Sequence, residues 1–187
     1  MDVGEIAQGL ERALRTRPVP SSAEARLRFL LKAHRGSTLR VAAVLGVSQR
    51  TVQRWVTKKT GARRPPSPAK IQAIEEAVLV KWQPRIRGQR KARAEAEGFV
   101  LHTRARFGFA AAAGSSDDPR VRRITQRLSG EVARELFAAR EAGAGEQQQM
   151  VILARALGHA YFRDDGQRAH GVHIAFTDVE FADFAIR

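Results

Sequence analysis

The 187 residues carry 33 lysines and arginines against 19 acids, a formal charge of +14, with 43% hydrophobic residues and no cysteine. That hydrophobic share supports a packed core, while the missing thiols exclude disulfides, thiolate zinc sites and cysteine nucleophiles and fit a reducing, cytoplasmic setting. No apolar run near the start is long enough for a signal peptide and no later stretch has the length of a bilayer span, so neither export nor membrane insertion is expected.

The charge is uneven. Residues 1–98 hold 21 Lys+Arg and 8 Asp+Glu, a balance of +13, and residues 99–187 hold 12 and 11, a balance of +1. A polyanion-binding module joined to a nearly neutral one accounts for that asymmetry better than a uniformly basic chain does.

In chain order, Ser21 and Glu24 make a capping-box pattern before Leu27, Leu30 and Leu31, with Gly36 as the stop, which predicts a first helix. A short second helix is predicted from Thr38 to Leu45, a turn at Gly46, and a third helix from Ser48 to about Lys58. Thr60 to Pro68 holds Gly61, Arg63, Arg64, Pro65, Pro66 and Pro68 and reads as a basic linker. Ser67 then caps a fourth helix with Pro68 in its first turn and Ile71, Ile74, Val78 and Trp82 apolar, ending near Pro84. The basic run Arg85 to Lys91 is either a solvated helical face or an extension of a DNA contact.

From Phe99 to Phe109 apolar and basic residues alternate, which predicts a strand covering a core on one side. A loop over Gly114 to Pro119 leads to helices expected at residues 119–128, 130–142 and 146–160, the last with Met150, Leu153 and Leu157 inside; Val172, Ile174 and Phe176 suggest a second strand. The fold class expected is α+β: an N-terminal all-α helix-turn-helix domain over residues 1–97, followed by a smaller α+β domain over residues 98–187.

Thr38 to Trp55 places each residue type where helix-turn-helix geometry needs it. Small Ala42 allows close helix approach, Gly46 suits a left-handed turn, and Val41, Leu45, Val47, Val52 and Trp55 form the inner face. The recognition helix then turns Ser48, Gln49, Arg50, Thr51, Gln53 and Arg54 outward. Gln pairs bidentately with adenine and Arg with guanine, and Ser48 and Thr51 suit phosphate contacts near the helix N-terminus. Lys58, Lys59, Arg63 and Arg64 suit the phosphate backbone, setting affinity and salt dependence.

Catalytic motifs are absent. No GxxxxGK[ST], GxGxxG or GxSxG occurs, and the clustered histidines His170 and His173 beside Asp164 and Asp165 make a poor metal pattern, so no metal, no catalytic residue and no cofactor of the chain's own are expected. Ser115 and Ser116, next to Asp117 and Asp118, form an exposed hydroxyl loop. The same Ser-Asp-Asp-Pro pattern is that of a helix N-cap, with Ser116 or Asp118 capping the helix that follows. Both readings stand at this point.

Several segments together resemble the telomere terminal proteins that cap linear Streptomyces-type chromosomes and plasmids: residues 12–20, the helix-turn-helix through residues 49–54, residues 82–85, Thr103-Arg-Ala-Arg-Phe-Gly-Phe109, Arg122-Arg-Ile-Thr-Gln-Arg127 and Tyr161-Phe-Arg-Asp164. The resemblance implies a protein attached covalently to the 5′ ends of linear DNA and serving as primer for telomere end patching, hence a substrate and not an enzyme. It also implies a separate DNA polymerase that supplies Mg²⁺, a telomere-associated DNA-binding partner protein, and a cytoplasmic location at nucleoid DNA ends. The resemblance leaves four candidates for the nucleotide-linked hydroxyl, ranked Ser116, which stands where the family's loop has threonine, then Thr125, Ser115 and Thr103. The alternative from the residues alone is a helix-turn-helix transcriptional regulator whose C-terminal half senses a ligand or dimerises. A DNA-cleaving enzyme would need a carboxylate cluster or a nucleophilic tyrosine, for which the lone Tyr161 is a poor basis.

Overall fold

A computed structural model describes residues 4–57, 65–110, 116–162 and 173–186. In chain order the elements are α1 (Glu5–Ala13), α2 (Ala23–Ala33), α3 (Thr38–Leu45), α4 (Gln49–Val56), α5 (Pro68–Lys81), α6 (Pro84–Glu97), β1 (Phe99–Ala110), β2 (Ser116–Leu128), α7 (Gly130–Glu141), α8 (Glu146–Leu157), a π-helical turn (Gly158–Phe162) and β3 (His173–Ala185). The chain is α+β, with a helical helix-turn-helix domain and a three-stranded antiparallel sheet carrying helices.

Contacts group the residues into two units, Arg17–Pro84 and a larger one made of Met1–Thr16 with Arg85–Arg187, which differs from a division at 97/98 because α1 and α6 join the sheet.

In the helical unit, α2 through α5 close on Leu27, Leu30, Val41, Ala42, Leu45, Val52, Trp55, Ile74 and Val78. Arg26 ties the entry to this unit, its Nε donating to Pro20 O at 2.8 Å while its guanidinium pairs with Glu75 on α5 at 3.0 Å. Phe29 and Trp82 meet edge to face at 4.9 Å, and the Trp82 indole N–H donates to Arg17 O at 3.2 Å. The cap of α2 is Ser22, whose Oγ accepts from Ala25 N at 3.1 Å, and not Ser21 as the capping-box pattern predicted.

In the second unit the strand order is β2-β1-β3, both pairings antiparallel. Leu101, Ala105 and Phe107 of β1, Ile124 and Leu128 of β2, and Phe176, Ala182 and Phe184 of β3 build a core with Ile6 and Leu10 of α1, Leu136 and Phe137 of α7, and Leu153 and Leu157 of α8. Met150 is only partly buried against it. Helix α1, which sequence reasoning missed, has no side-chain cap of its own; the Glu146 carboxylate at the start of α8 accepts from Ile6 N at 2.7 Å and Ala7 N at 3.4 Å, placing negative charge at the positive end of the helix.

The largest correction concerns residues 119–128, expected as a helix and found in strand β2. Ile124 and Leu128 are four apart, a spacing that suits one face of a helix and equally one face of a strand. Pairing with β1 decides for the strand, since Ile124 opposes Thr103 and Leu128 opposes Phe99, both inward. Asp118 and Pro119 fall where the register slips between Phe107 and Phe109, so the proline, which has no N–H to donate, sits outside the regular ladder. The helix expected at 146–160 gives way to the π-helical turn after Leu157, and the strand suspected around Val172 to Phe176 runs from His173 to Ala185. The N-cap reading of Ser116 and Asp118 falls with the helix it required.

Candidate nucleic-acid interface

The turn between α3 and α4 is made by Gly46 at φ 61, ψ 43, a left-handed conformation that a side chain adopts only at a cost. Val47 N then returns to Ala42 O at 3.0 Å, closing α3. Ser48 caps α4, its Oγ accepting from Thr51 N at 3.2 Å, and the Ser48 and Thr51 hydroxyl oxygens lie 2.8 Å apart. With one hydroxyl hydrogen spent between them, the pair keeps one for a phosphate oxygen.

Val52 and Trp55 are buried from α4, which leaves Gln49, Arg50, Gln53 and Arg54 exposed on its other side. Spacings of one, three, four and five residues on a helix put those four on a common flank, the presentation that major-groove readout requires. Gln49 Nε2 donates to Thr38 Oγ1 at 3.0 Å. Because Thr38 opens α3 and Gln49 opens α4, this bond holds the two helix N-termini side by side. Two sets of free N–H groups with Ser37 and Ser48 as caps make a neighbourhood suited to backbone phosphates. Arg40, exposed in the first turn of α3, adds a cation there. Thr38 and Arg40 were not among the sequence-predicted contacts, which all lay on α4 and beyond it; the Ser37 cap of α3 was the available signal. Lys58, Lys59, Arg63 and Arg64 lie outside the described residues.

Three of the four cations in the basic run at the start of α6 are employed inside its own unit. Arg87 pairs with Glu11 at 2.6 Å, and Arg90 donates to Ala13 O at 2.6 Å. Lys91 pairs with Glu141 and, at 3.7 Å, with Glu95.

The candidate hydroxyls are separated. Thr103 is buried and donates to Phe181 O at 2.9 Å, which leaves it out of reach of an external reactant. Thr125 is exposed on β2, its Oγ1 2.9 Å from His102 Nδ1 on β1. Ser116 begins β2, opposite Ala110 at the end of β1, and Ser115 lies outside the described residues. His170, Asp164 and Asp165 also lie outside them, and His173 opens β3. Tyr161 is exposed in the π-helical turn.

Residues 20–63 match the family model of a Homeodomain-like domain of helix-turn-helix type, within the helical unit. This segment is a DNA-binding helix-turn-helix. Comparison with curated proteins and with solved structures returns no match. Among the described residues no helix is long and apolar enough to cross a membrane.

Proposed function

We propose that this protein is a terminal protein of linear replicons, holding DNA through α3 and α4 and carrying a hydroxyl that becomes linked to the 5′ end. The observation that supports this reading is the β1–β2 hairpin. Two segments that resemble the terminal proteins, residues 103–109 and 122–127, pair with one another in it, Thr103 opposite Ile124 and Arg104 opposite Arg123. Ser116 opens β2, paired with Ala110 at the end of β1.

In the proposed step, the Ser116 oxygen attacks the α-phosphorus of a deoxynucleoside triphosphate. A serine–phosphate ester bond forms, the bond to the β-phosphate breaks, pyrophosphate leaves, and the hydroxyl proton passes to a base or water in the polymerase site. The polymerase supplies Mg²⁺ and the catalytic groups, so the chain acts as primer, not enzyme. A telomere-associated DNA-binding protein is the expected partner, at the DNA ends of the nucleoid.

The test is incubation with polymerase-containing extract, Mg²⁺ and α-labelled deoxynucleotides, followed by denaturing electrophoresis and peptide mapping. Label that survives denaturation and maps to Ser116, and is lost in Ser116→Ala with DNA affinity retained, supports the reading; Thr125 and Ser115 are the rival positions. Absence of label, in an extract that labels a known terminal protein, overturns it. The Homeodomain-like match favours a second reading equally, a transcriptional regulator, for which a palindromic operator with half-sites about one helical turn apart is the signature.

A further inference from the structure

The sheet packs its helices against one face. Along the other, β1 presents His102, Arg104 and Arg106, and β2 presents Arg123, Thr125 and Arg127 directly opposite them or Val100. Every one of these six is at least partly exposed. Of the β2 arginines, Arg123 and Arg127 lie on this face, and β2 adds no carboxylate between Pro119 and Leu128. We infer that this open sheet face is a second nucleic-acid site, one that takes single-stranded DNA.

Charge selects the polyanion. The β3 side of the face is balanced by exposed ion pairs, Arg104 with Glu180 at 2.9 Å and Arg106 with Asp178 at 3.0 Å. The β2 side is not: Arg123 makes no hydrogen bond or ion pair with a described residue, and Arg127 spends one donor on Glu97 O at 2.9 Å. Exposed pairs contribute about 0–1 kcal/mol, so phosphates arriving at β2 also compete for Arg104 and Arg106 at little cost.

Shape selects the single strand. A duplex is read by a helix or a two-stranded ribbon that enters a groove about 12 Å wide, and the three-stranded face is wider than the ribbon that groove admits. The unstacked bases of a single strand lie on a flat sheet, stacking on aromatic rings and guanidinium planes while cations follow the backbone. Here His102 and the half-buried Phe181, which opposes Arg104, supply rings among the arginines. Arg123 and Arg127, four residues apart on one strand, are separated by about 13 Å, roughly two nucleotides of an extended strand. This inference stands without covalent attachment and concerns a different unit from the helix-turn-helix.

The experiment is fluorescence anisotropy of the full chain with labelled oligothymidylate and with a random duplex, over a range of salt. The variant Arg123→Glu/Arg127→Glu should lose about tenfold or more in single-strand affinity, with a shallower salt dependence, since each phosphate contact contributes about 0.7 to the single-strand slope. Its duplex affinity should stay within about twofold of wild type. Arg50→Ala/Arg54→Ala should do the reverse. If the glutamate variant melts early, the single changes Arg123→Gln and Arg127→Gln decide the matter at unchanged thermal stability. Failure of wild type to bind oligothymidylate, or binding lost in the α4 variant and kept in the sheet variants, overturns the inference.

Discussion

The Glu11 carboxylate accepts both terminal nitrogens of Arg87, at 2.6 and 3.1 Å, and this bidentate pair joins α1 to α6. Arg140 of α7 reaches the same carboxylate at 3.0 Å and Arg15 at 3.4 Å, so one acid answers three guanidiniums.

Burial by itself would raise the Glu11 pKa, but the hydrogen bond and charge of Arg87, followed by the charges of Arg140 and Arg15, hold it below 4.5. A carboxyl depressed in the folded state contributes stability that is complete above its unfolded pKa and is lost as pH falls through the folded value. Denaturant midpoints should therefore fall as the solution is acidified below about 4.5, and Glu11→Gln should flatten that fall. At neutral pH the same change should cost about 2 kcal/mol, because three arginines are left facing one another.

Helix α1 depends on a glycine at its contact with β3. A Cβ built at Gly9 would lie 1.8 Å from Ala182 O, a backbone atom that cannot step aside. Gly9→Ala should destabilise the sheet unit by about 1–3 kcal/mol despite the better helix propensity of alanine. Calorimetry of the full chain checks this; an unchanged or raised melting temperature would show that α1 does not press on β3.

Gly46 presents the opposite case, with nothing within 4 Å of a built Cβ but φ at +61. Only conformation opposes a side chain there, and Gly46→Val should cost about 1–2 kcal/mol. Asparagine, which tolerates the left-handed region, should cost less at the same position. The order Gly, Asn, Val in thermal stability is the readout.

On α4, Arg50→Ala and Arg54→Ala should each weaken duplex binding, by about 1–3 kcal/mol where the arginine reads a base. An arginine that touches only phosphate should instead lower the salt slope by about one. Titrations at several salt concentrations separate these outcomes, and unchanged affinity for both variants would remove α4 as the recognition element.

The helix-turn-helix was legible because its signals are local. Ala42, Gly46 and Ser48 lie within seven consecutive residues, and the turn they specify needs no distant partner. Helix α1 was not legible, since its cap is a carboxylate from residue 146 and its glycine at position 9 suits a neighbour 173 residues away and lowers helix propensity. Strand β2 was misread for a related reason: Ile124 and Leu128 fit either period, and only β1 alongside resolves them.

The sequence by itself determined the DNA-binding module, its inner face, the alternating strand β1 and the concentration of positive charge in the first half. Tertiary structure decided how that charge is used. Three of the four cations from Arg85 to Lys91 are drawn into ion pairs and carbonyl contacts with α1, α6 and α7. Arg123 and Arg127 of β2, in the half whose net charge is close to zero, stand exposed on a sheet face. Net charge counts residues without regard to neighbours, whereas the field met by a ligand depends on which cations a fold has already paired.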